Sequence, residues 1–472
     1  MHVTTSNEPA GAGAAASRGV LGRGSIYTLG AAAPVLANAA VTPAVTRLLG
    51  VDAYGVVSVG IVVMQIGMMV SGLGMASVIT RHGLLGRSGQ EGARTLLVRG
   101  LLMTAALIAV AVVAAPFWSQ LLDPELHQAV VIGLLTAGCY VGVEESQAFL
   151  RVLDRPLTFV GLSLLATLGG PLLGLTFVLT GEASAERYLM GLLGGYAVAA
   201  LVGVAVTLRS GPRRHHTGDT RAALRMGLPM LPHMVSIFAA NGGLIFLATA
   251  LFGQQEAGRL AVALLLGMAP GVVTAAMNNS WGPTIFRTPE SERGTVLEHT
   301  AADIGYLAAT MAGGVAALSP WLLRLAAGSD FRPDELVPQV AMIGFGTVLG
   351  VGYLANVHLV FATGRTAGLS LTTPLSLGAG LALGAALSQL EPGLLAMGFP
   401  LTYAGMFAGS SYLAHRVGPV RWRQQVLLAP VALGALYCAA GALLPLSLPL
   451  RLTVAALIAG IAVARLRHVV RR

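Results

Sequence analysis

Long apolar runs alternate with short polar segments along the chain from residue 25 onward. A helix needs about 20 mostly apolar residues to cross the hydrocarbon core of a membrane. The pattern therefore predicts an all-α, polytopic membrane protein of about 14 transmembrane helices. The predicted spans are residues 25–46, 56–79, 100–119, 129–150, 157–180, 188–208, 227–250, 260–285, 301–322, 337–361, 367–387, 393–414, 425–446 and 449–466.

Arginine is distributed unevenly between the two sides of these spans. Cytoplasmic loops carry an excess of basic residues, and placing the N-terminus in the cytoplasm puts 23 of the 29 basic residues on that side. The six on the outer side are Arg47, Arg187, Arg259, Arg324, Arg332 and Arg451. This asymmetry predicts a multi-pass protein of the cytoplasmic (inner or plasma) membrane with both termini in the cytoplasm.

Composition excludes several chemistries. Only 10% of the residues are charged, and all 29 basic residues are arginine. Without lysine there is no Walker A motif of a P-loop ATPase and no Schiff-base lysine. The two cysteines, Cys139 and Cys438, have no disulfide or zinc spacing. We expect no metal and no cofactor. We also expect no nucleic-acid partner, because the net charge of +9 comes from arginines between membrane spans.

The chain resembles itself at a displacement of 203 residues. Gly50 then falls on Gly253, and Gly55 falls on Gly258. Asn38 likewise falls on Asn241, and Thr46 on Thr249. Six spans separate the copies, so both copies start on the same side and are parallel. The repeat predicts a disordered cytoplasmic tail (1–22), a first lobe of six spans (23–210), a cytoplasmic linker (211–225), a second lobe (226–415), and two further spans with a basic tail (416–472).

The repeated segments are "LLGVDAYG" (48–55) and "LFGQQEAG" (251–258). We interpret each as a tight outer turn between two spans, which its two glycines permit. Tyr54 is expected to lie at the membrane interface, where aromatic rings are enriched.

Both halves of the repeat resemble a known family. "RLLGVDAYGVVSVG" with "MASVITR", and "RMGLPMLPHMVSIFAANGGLIFLATALFGQQEAGRLAVA" in the second half, resemble the oligosaccharide flippases. These belong to the multidrug/oligosaccharidyl-lipid/polysaccharide (MOP) exporter superfamily. The family's Gly-Leu-Pro start of its second lobe matches residues 227–229, and its acid-Ala-Gly turn matches residues 256–258. The first lobe lacks the Gly-Leu-Pro and opens with "RGSIY" instead.

The resemblance covers most of residues 20–415. It implies two six-helix lobes around a central cavity. It also implies transport of polyprenyl-diphosphate-linked sugars from the inner to the outer leaflet of the bilayer. A glycan polymerase and glycosyltransferases are then the expected protein partners. Drug exporters and flippases of lipid-linked peptidoglycan precursors share this architecture.

Arginines and amides are the candidate substrate ligands. Guanidinium groups bind phosphate oxygens bidentately, so Arg47 and Arg259, which flank the two turns, and Arg81 are candidates for the diphosphate. Snorkelling at helix ends is the alternative interpretation. Four asparagines could bind sugar hydroxyls, or could instead hold helices together. They are Asn38, Asn241, Asn278 and Asn279.

Ionisable residues inside the spans are candidates for ion coupling or gating, because burying charge in a membrane is costly. Glu144 and Glu145 lie near the cytoplasmic end of the fourth span. An ion pair with Arg151 or Arg155 is the structural alternative. His233 and His358 could be protonated at a cavity wall, or could form ordinary hydrogen bonds between helices.

Four functions were weighed on these features. The first is a lipid-linked oligosaccharide flippase that works by alternating access. The second is a cation-coupled small-molecule exporter, which the lack of a deep acid in the first two spans disfavours. A membrane enzyme is not expected, because there is no large outer loop and no Asp-x-Asp motif. The fourth is a non-transporting scaffold.

Overall fold

A computed structural model describes residues 10–86, 88–119, 124–210 and 220–470. It describes their side chains except those of residues 10–39, 85, 223, 226, 230, 241, 279 and 462–470. Every regular element in these ranges is a helix. The predicted all-α membrane fold is therefore confirmed.

The first lobe is built around its first and fourth spans. The first half of the chain forms α1 (Ala10–Gly72), α2 (Met75–Leu85), α3 (Gly89–Ser119), α4 (His127–Val152), α5 (Pro156–Leu179) and α6 (Ala185–Ser210). α4 packs against α1, α3 and α6, and α5 packs against α1 and α6. One face of α3 carries exposed leucine and valine side chains, as expected of a helix that faces lipid.

The second lobe surrounds a central helix. The second half forms α7 (Thr220–Gly227), α8 (Leu231–Phe252), α9 (Gln254–Gly267), α10 (Ala269–Arg287), α11 (Glu290–Ala326), α12 (Val337–Thr363), α13 (Leu369–Leu387), α14 (Gly398–Val417), α15 (Leu428–Leu443) and α16 (Leu448–Val470). α12 contacts α9, α10, α11, α14 and α15. α15 and α16 pack on the outside of α11.

Each of the fourteen predicted spans overlaps at least one helix. The span at 56–79 nevertheless contains the break at Leu73 and Gly74, and the span at 260–285 contains the break between α9 and α10. In the described part of the chain, nine helices are long and apolar enough to cross a membrane by themselves. The number rises to eleven if two bent pairs each count as one span. These pairs lie within α8, with a 55° bend, and between α9 and α10, with a 47° bend. The count of fourteen stays a prediction.

The predicted tail and linker are described in part. α1 begins at Ala10, within the predicted tail of residues 1–22, and residues 1–9 lie outside the described part. α7 occupies the end of the predicted linker, whose residues 211–219 also lie outside it.

The repeat is visible in the backbone. Gly50 interrupts α1 with φ 76° and ψ 175°, and Gly253 precedes α9 with φ 86° and ψ −176°. Both lie in a region of positive φ that glycine adopts readily. Four residues earlier, Thr46 and Thr249 each donate a hydrogen bond to the carbonyl of the residue one turn before, at 3.0 Å and 2.9 Å. The two copies thus share their local structure at the predicted register.

The expected shape of the repeated turn is wrong in one respect. The helix is interrupted at Gly50 alone, and residues 51–55 already form the first turns of the next helical segment. Gly55 is therefore a helical residue and does not form the turn. Tyr54 is also buried, with its ring edge-on to Phe331 at 5.8 Å between centroids. Apolar packing against Phe331 replaces the interfacial position that was expected for it.

A buried arginine attaches the last helix to the second lobe. Pro320 lies inside α11 and has no N–H, so the carbonyl of Ala316 loses its helical partner. Arg451 is almost fully buried and donates to the carbonyls of Ala316, Ala317 and Gly441 at 3.5, 3.3 and 2.9 Å. The guanidinium thereby satisfies carbonyls of α11 and α15 and fixes the start of α16 against both helices.

Candidate functional site

The two lobes meet through equivalent glycines at the end of the bundle where Gly50 and Gly253 lie, here called the glycine-turn end. A Cβ atom on Gly55 would overlap the carbonyl of Gln254, and one on Gly258 would overlap the carbonyl of Val51. Gly55 and Gly258 are 203 residues apart, as are Val51 and Gln254. The contact is therefore reciprocal, as it must be on a two-fold axis that relates the lobes. Glycine is required on both sides because the backbones touch.

Side chains of the second lobe support this contact. The carboxylate of Asp330 accepts a hydrogen bond from the N–H of Val51 at 2.8 Å. This N–H is unpaired within its own helix because Val51 begins a helical segment. The hydroxyl of Thr46 donates to the carbonyl of Ala326 at 2.7 Å. The side-chain amide of Gln254, also in the second lobe, donates to the carboxylate of Glu125 in the first lobe at 3.4 Å.

The lobes also touch at the opposite end of the bundle. α1 ends at Gly72, and the next two residues, Leu73 and Gly74, have positive φ of 50° and 68°. A Cβ atom on Gly227 would overlap the carbonyl of Leu73, and one on Gly74 would lie 3.4 Å from the Cα of Gly227. Gly227 opens the Gly-Leu-Pro motif, so the motif has a contact role here.

Arg259 and Arg47 are bound by protein acceptors. Arg259 is buried and forms ion pairs with Glu256 at 2.7 Å and with Glu335 at 2.6 Å. Arg47 is exposed and donates to the carbonyls of Pro43 and Arg324 at 2.8 Å and 2.9 Å.

Arg81 lies far from these two arginines. It is an exposed residue of α2, beyond the segment of α1 that follows Gly50. That segment is roughly 30 Å long. The structure thus places two of the candidate arginines at the glycine-turn end and the third near the opposite end.

The paired acids of α4 differ in their surroundings. Glu144 is half-buried. The side chain of Glu145 is 1% exposed, and no described residue donates a hydrogen bond to either of its carboxylate oxygens. Arg151 and Arg155 were the expected ion-pair partners. The guanidinium of Arg151 lies over the ring of Phe159, and Arg155 donates a hydrogen bond to the hydroxyl of Ser210.

His233 belongs to a polar cluster inside the second lobe. Its Nδ1 lies 2.9 Å from the hydroxyl of Thr373 on α13, and its Nε2 lies 3.5 Å from the hydroxyl of Tyr353 on α12. The imidazole also stands 6.5 Å from the ring of Phe361. The cluster joins α8, α12 and α13, so a change in the protonation of His233 would act on three helices.

His358 packs beside the segment "MNNSW". Its ring lies edge-on to Trp281 at 4.9 Å, and the indole of Trp281 donates to Thr300 at 2.9 Å. Within the described residues, the Nε2 of His358 and the Oδ1 of Asn278 are both buried without a hydrogen-bond partner. Asn278 and His358 thus offer unused polar atoms between α10 and α12.

Three candidate amides cannot be placed, since the side chains of Asn38, Asn241 and Asn279 lie outside the described part of the structure. A cavity of 420 Å³ is present, but Glu290, Glu298 and Arg421 line it beside the start of α11. None of the candidate residues lines this cavity. The site residues therefore stay predictions.

Residues that sequence reasoning missed have long-range partners. Asp330 and Glu335 bind groups of the glycine-turn end that lie 279 and 76 positions away in the chain. Thr373 and Tyr353 surround His233 from two other helices. One sequence signal pointed to the segment that holds Glu335. The similar sequences "PEL" and "PDEL" occur in the connections before α4 and α12, and both form short 3-10 helices.

The chain matches a family model in sequence and solved structures in fold. Residues 21–288 match the model of the family described as polysaccharide biosynthesis protein. No curated protein matches the sequence. Several solved structures resemble the fold.

One is an inward-facing multidrug resistance MATE family transporter of the MOP superfamily. It has a TM-score of 0.63 and 17% identity, over 81% of this chain and 94% of that one. Another is the lipid II flippase MurJ in an inward closed conformation. It has a TM-score of 0.61 and 11% identity, over 94% of this chain and 100% of that one. A third is a mutant of the Vibrio cholerae MATE transporter VcmN. It has a TM-score of 0.62 and 16% identity, over 84% of this chain and 96% of that one.

At these identities the structures establish a shared two-lobed fold, while the family model covers more than half of the chain. The chain is therefore a multi-pass membrane protein that belongs to the polysaccharide biosynthesis protein family, within the MOP superfamily of transporters.

Proposed function

We propose that the chain is a flippase that moves a polyprenyl-diphosphate-linked oligosaccharide across the cytoplasmic membrane by alternating access. The match to the polysaccharide biosynthesis protein family carries this proposal. The likeness to MurJ supports it, since that protein is a lipid II flippase. The expected orientation places the glycine-turn end outside the cell and the Gly227 contact on the cytoplasmic side.

Alternating access requires contacts between the lobes that can form and break at each end. The reciprocal contact of Gly55 and Gly258 provides one, and the contact of Gly227 with Leu73 and Gly74 provides the other. Backbone packing of this kind fits tightly when closed, yet it involves little side-chain interdigitation that would resist opening.

The proposed substrate ligands are those of the sequence analysis. Arg47, Arg81 and Arg259 would bind the diphosphate. At Arg259, a phosphate oxygen would replace Glu335, because the side chain of Glu335 is 56% exposed and that of Glu256 is 26% exposed. Asn38, Asn241, Asn278 and Asn279 would bind the sugar.

The ionisable side chains inside the spans would couple transport to an ion gradient. The proposed coupling groups are Glu144, Glu145, His233 and His358. A glycan polymerase and glycosyltransferases would act beside the transporter and handle the same lipid-linked sugar.

Reconstitution tests the proposal. Purified protein is placed in liposomes that contain a polyprenyl-diphosphate oligosaccharide with a fluorophore on the sugar, and an impermeant reductant bleaches the outer leaflet. A flippase makes the inner pool accessible, so bleaching approaches completion. Bleaching that stops at the outer leaflet, as in protein-free vesicles, contradicts the proposal.

A second candidate is a cation-coupled exporter of small molecules, which the likeness to MATE transporters favours. The same vesicles distinguish it from the flippase. An imposed proton or sodium gradient would then drive accumulation of a lipophilic organic cation, while the labelled lipid would stay in its leaflet. A non-transporting scaffold would show neither movement.

A further inference from the structure

The carboxyl group of Glu145 lies buried at the junction of α3 and α4. A Cβ atom on Gly100 of α3 would stand 2.6 Å from each of its oxygens. The absence of a side chain at Gly100 therefore leaves room for the carboxylate, and the hydroxyl of the next residue, Ser146, is buried as well. Among the described residues, neither carboxylate oxygen nor the Ser146 hydroxyl has a hydrogen-bond partner.

Two arginines of α3 near this junction are bound to other groups. Arg94 and Arg99 of α3 donate to the carbonyl of Leu208 and to the hydroxyl of Thr220. Besides Glu145, the acidic, basic and imidazole side chains of the neighbouring helices are Arg81 and His82 on α2, Glu91, Arg94 and Arg99 on α3, His127, Glu144 and Arg151 on α4, Asp154 and Arg155 before α5, and Glu186, Arg187 and Arg209 on α6. His82 bonds Ser88 at 2.6 Å.

A bare carboxylate is unstable in such surroundings. Burial removes the water that would solvate the charge, and no described donor replaces that water. The group must therefore hold a proton or a cation. The nearby polar atoms are carboxylate and hydroxyl oxygens, which suit a hard monovalent cation as well as a proton.

The junction also borders the contact between the lobes at the opposite end. Thr104, one turn beyond Gly100, donates from its hydroxyl to the carbonyl of Ser71 at 3.0 Å. Val141, one turn before Glu145, lies 3.5 Å from where a Cβ atom of Gly72 would be. Residues 71 and 72 end α1, and the next two residues contact Gly227. The Glu145 site is thus one helical turn away from the chain break that touches the second lobe.

We propose that the Glu145 carboxyl group binds one monovalent cation, a proton or Na⁺, and that its occupancy controls the contact of Leu73 and Gly74 with Gly227. The control of the contact rests on the proposed transport function, whereas the binding site does not. Thermodynamic linkage is reciprocal. If occupancy of the site changes the equilibrium for opening the contact by a given factor, opening the contact must change the cation affinity of the site by the same factor.

A hydrophobic carbodiimide provides a direct test, because it modifies protonated carboxyl groups in apolar surroundings. Purified protein in nanodiscs is treated with dicyclohexylcarbodiimide over a range of pH, with NaCl or with choline chloride, and the adducts are located by mass spectrometry. We expect the adduct on Glu145. Protection by sodium but not by choline identifies a Na⁺ site, and loss of labelling with rising pH alone identifies a proton site. Absence of an adduct on Glu145 under all conditions overturns the proposal.

Spin labels test the link to the contact. Ser77 on α2 and Arg221 on α7 are exposed and are replaced by labelled cysteines after Cys139 and Cys438 are changed to alanine. The distance distribution between the labels should respond to pH or sodium, with a population ratio that changes by about tenfold. E145Q should remove the response, while the control variant E182Q, at an exposed residue between α5 and α6, should keep it.

A response that survives in folded E145Q overturns the link. If E145Q does not fold, the carbodiimide labelling of the unaltered protein still decides the site. Neither measurement uses a transported substrate, so a wrong substrate assignment would leave both results standing. Failure of the flippase assay and failure of this proposal are therefore distinguishable.

Discussion

The lobes touch at both ends of their interface, and the two contacts differ in kind. At the glycine-turn end, Gly55 and Gly258 are equivalent residues and each meets the other copy in the same way. At the opposite end, Gly227 meets Leu73 and Gly74, which are not its equivalents in the repeat. The first contact lies on the axis of the repeat, so opening must break both of its halves together. The second contact involves a break between two helices that can move locally.

Replacement of Gly55 or Gly258 by leucine should have the largest effect, which falls on the contact at the glycine-turn end. A side chain there meets backbone atoms, and overpacking of that kind costs the closed contact about 3 kcal/mol, which shifts the ratio of closed to open forms by roughly 100-fold. We expect G55L and G258L to fold and to lose transport. The completely buried Ala257, changed to cysteine, should then react with an impermeant maleimide.

Gly161 and Gly314 supply the controls, since a Cβ atom at either position meets nothing within 4 Å. G161L and G314L should leave transport and the reactivity of the cysteine at position 257 unchanged. Normal transport in both G55L and G258L would show that this contact need not close.

Removal of Arg259 should have the next largest effect, on stability. R259Q leaves Glu256 and Glu335 without their buried partner, at a cost of about 2–3 kcal/mol because Glu335 is partly exposed. Thermal unfolding in detergent measures the loss. R324Q, which breaks the exposed ion pair with Asp334, should lower the unfolding temperature much less. Equal losses would mean that Arg259 does not stabilise the glycine-turn end.

Alanine at Gly227 should open the opposite end alone. The added methyl group overlaps the carbonyl of Leu73, and the expected cost to that contact is about 1–2 kcal/mol. Spin labels at positions 77 and 221 should move apart, while labels at Asp52 and Gln255 should keep their separation. Movement of both pairs would show that the two ends are not independent closures.

Neutralising Asp330 should have the smallest effect. D330N weakens the hydrogen bond from the N–H of Val51 by about 1 kcal/mol, which corresponds to a roughly fivefold shift toward opening of the glycine-turn end. D334N is the matched control, because Asp334 pairs with Arg324 on the surface. The reactivity of a cysteine at position 257 measures both variants. An identical rate in D330N and the parent protein would contradict a role for Asp330.

Sequence alone predicted the helices and the repeat because both depend on local composition. Each predicted span overlaps at least one helix, and Gly50 and Gly253 share one backbone conformation. The role of Gly55 could not be predicted in this way. A glycine five residues after a turn is compatible with a loop and with a close helix crossing, and the choice depends on how the lobes pack.

The candidate site was predictable only in part. Burial of Glu145 followed from its position inside an apolar run, but the empty space at Gly100 that accommodates its carboxylate depends on the rotation of α3 about its axis. Arg259 was correctly placed beside the second turn. Its partner Glu335 lies 76 residues further along the chain, and no local pattern encodes that distance.

Double electron–electron resonance at both ends tests the central claim most directly. One sample carries spin labels at the equivalent positions 52 and 255, and another carries them at positions 77 and 221, each in nanodiscs with and without a polyprenyl-diphosphate oligosaccharide. Alternating access predicts that substrate changes the two distances in opposite directions, one pair separating as the other closes. Distances that lengthen together, or that do not respond to the substrate, would contradict it.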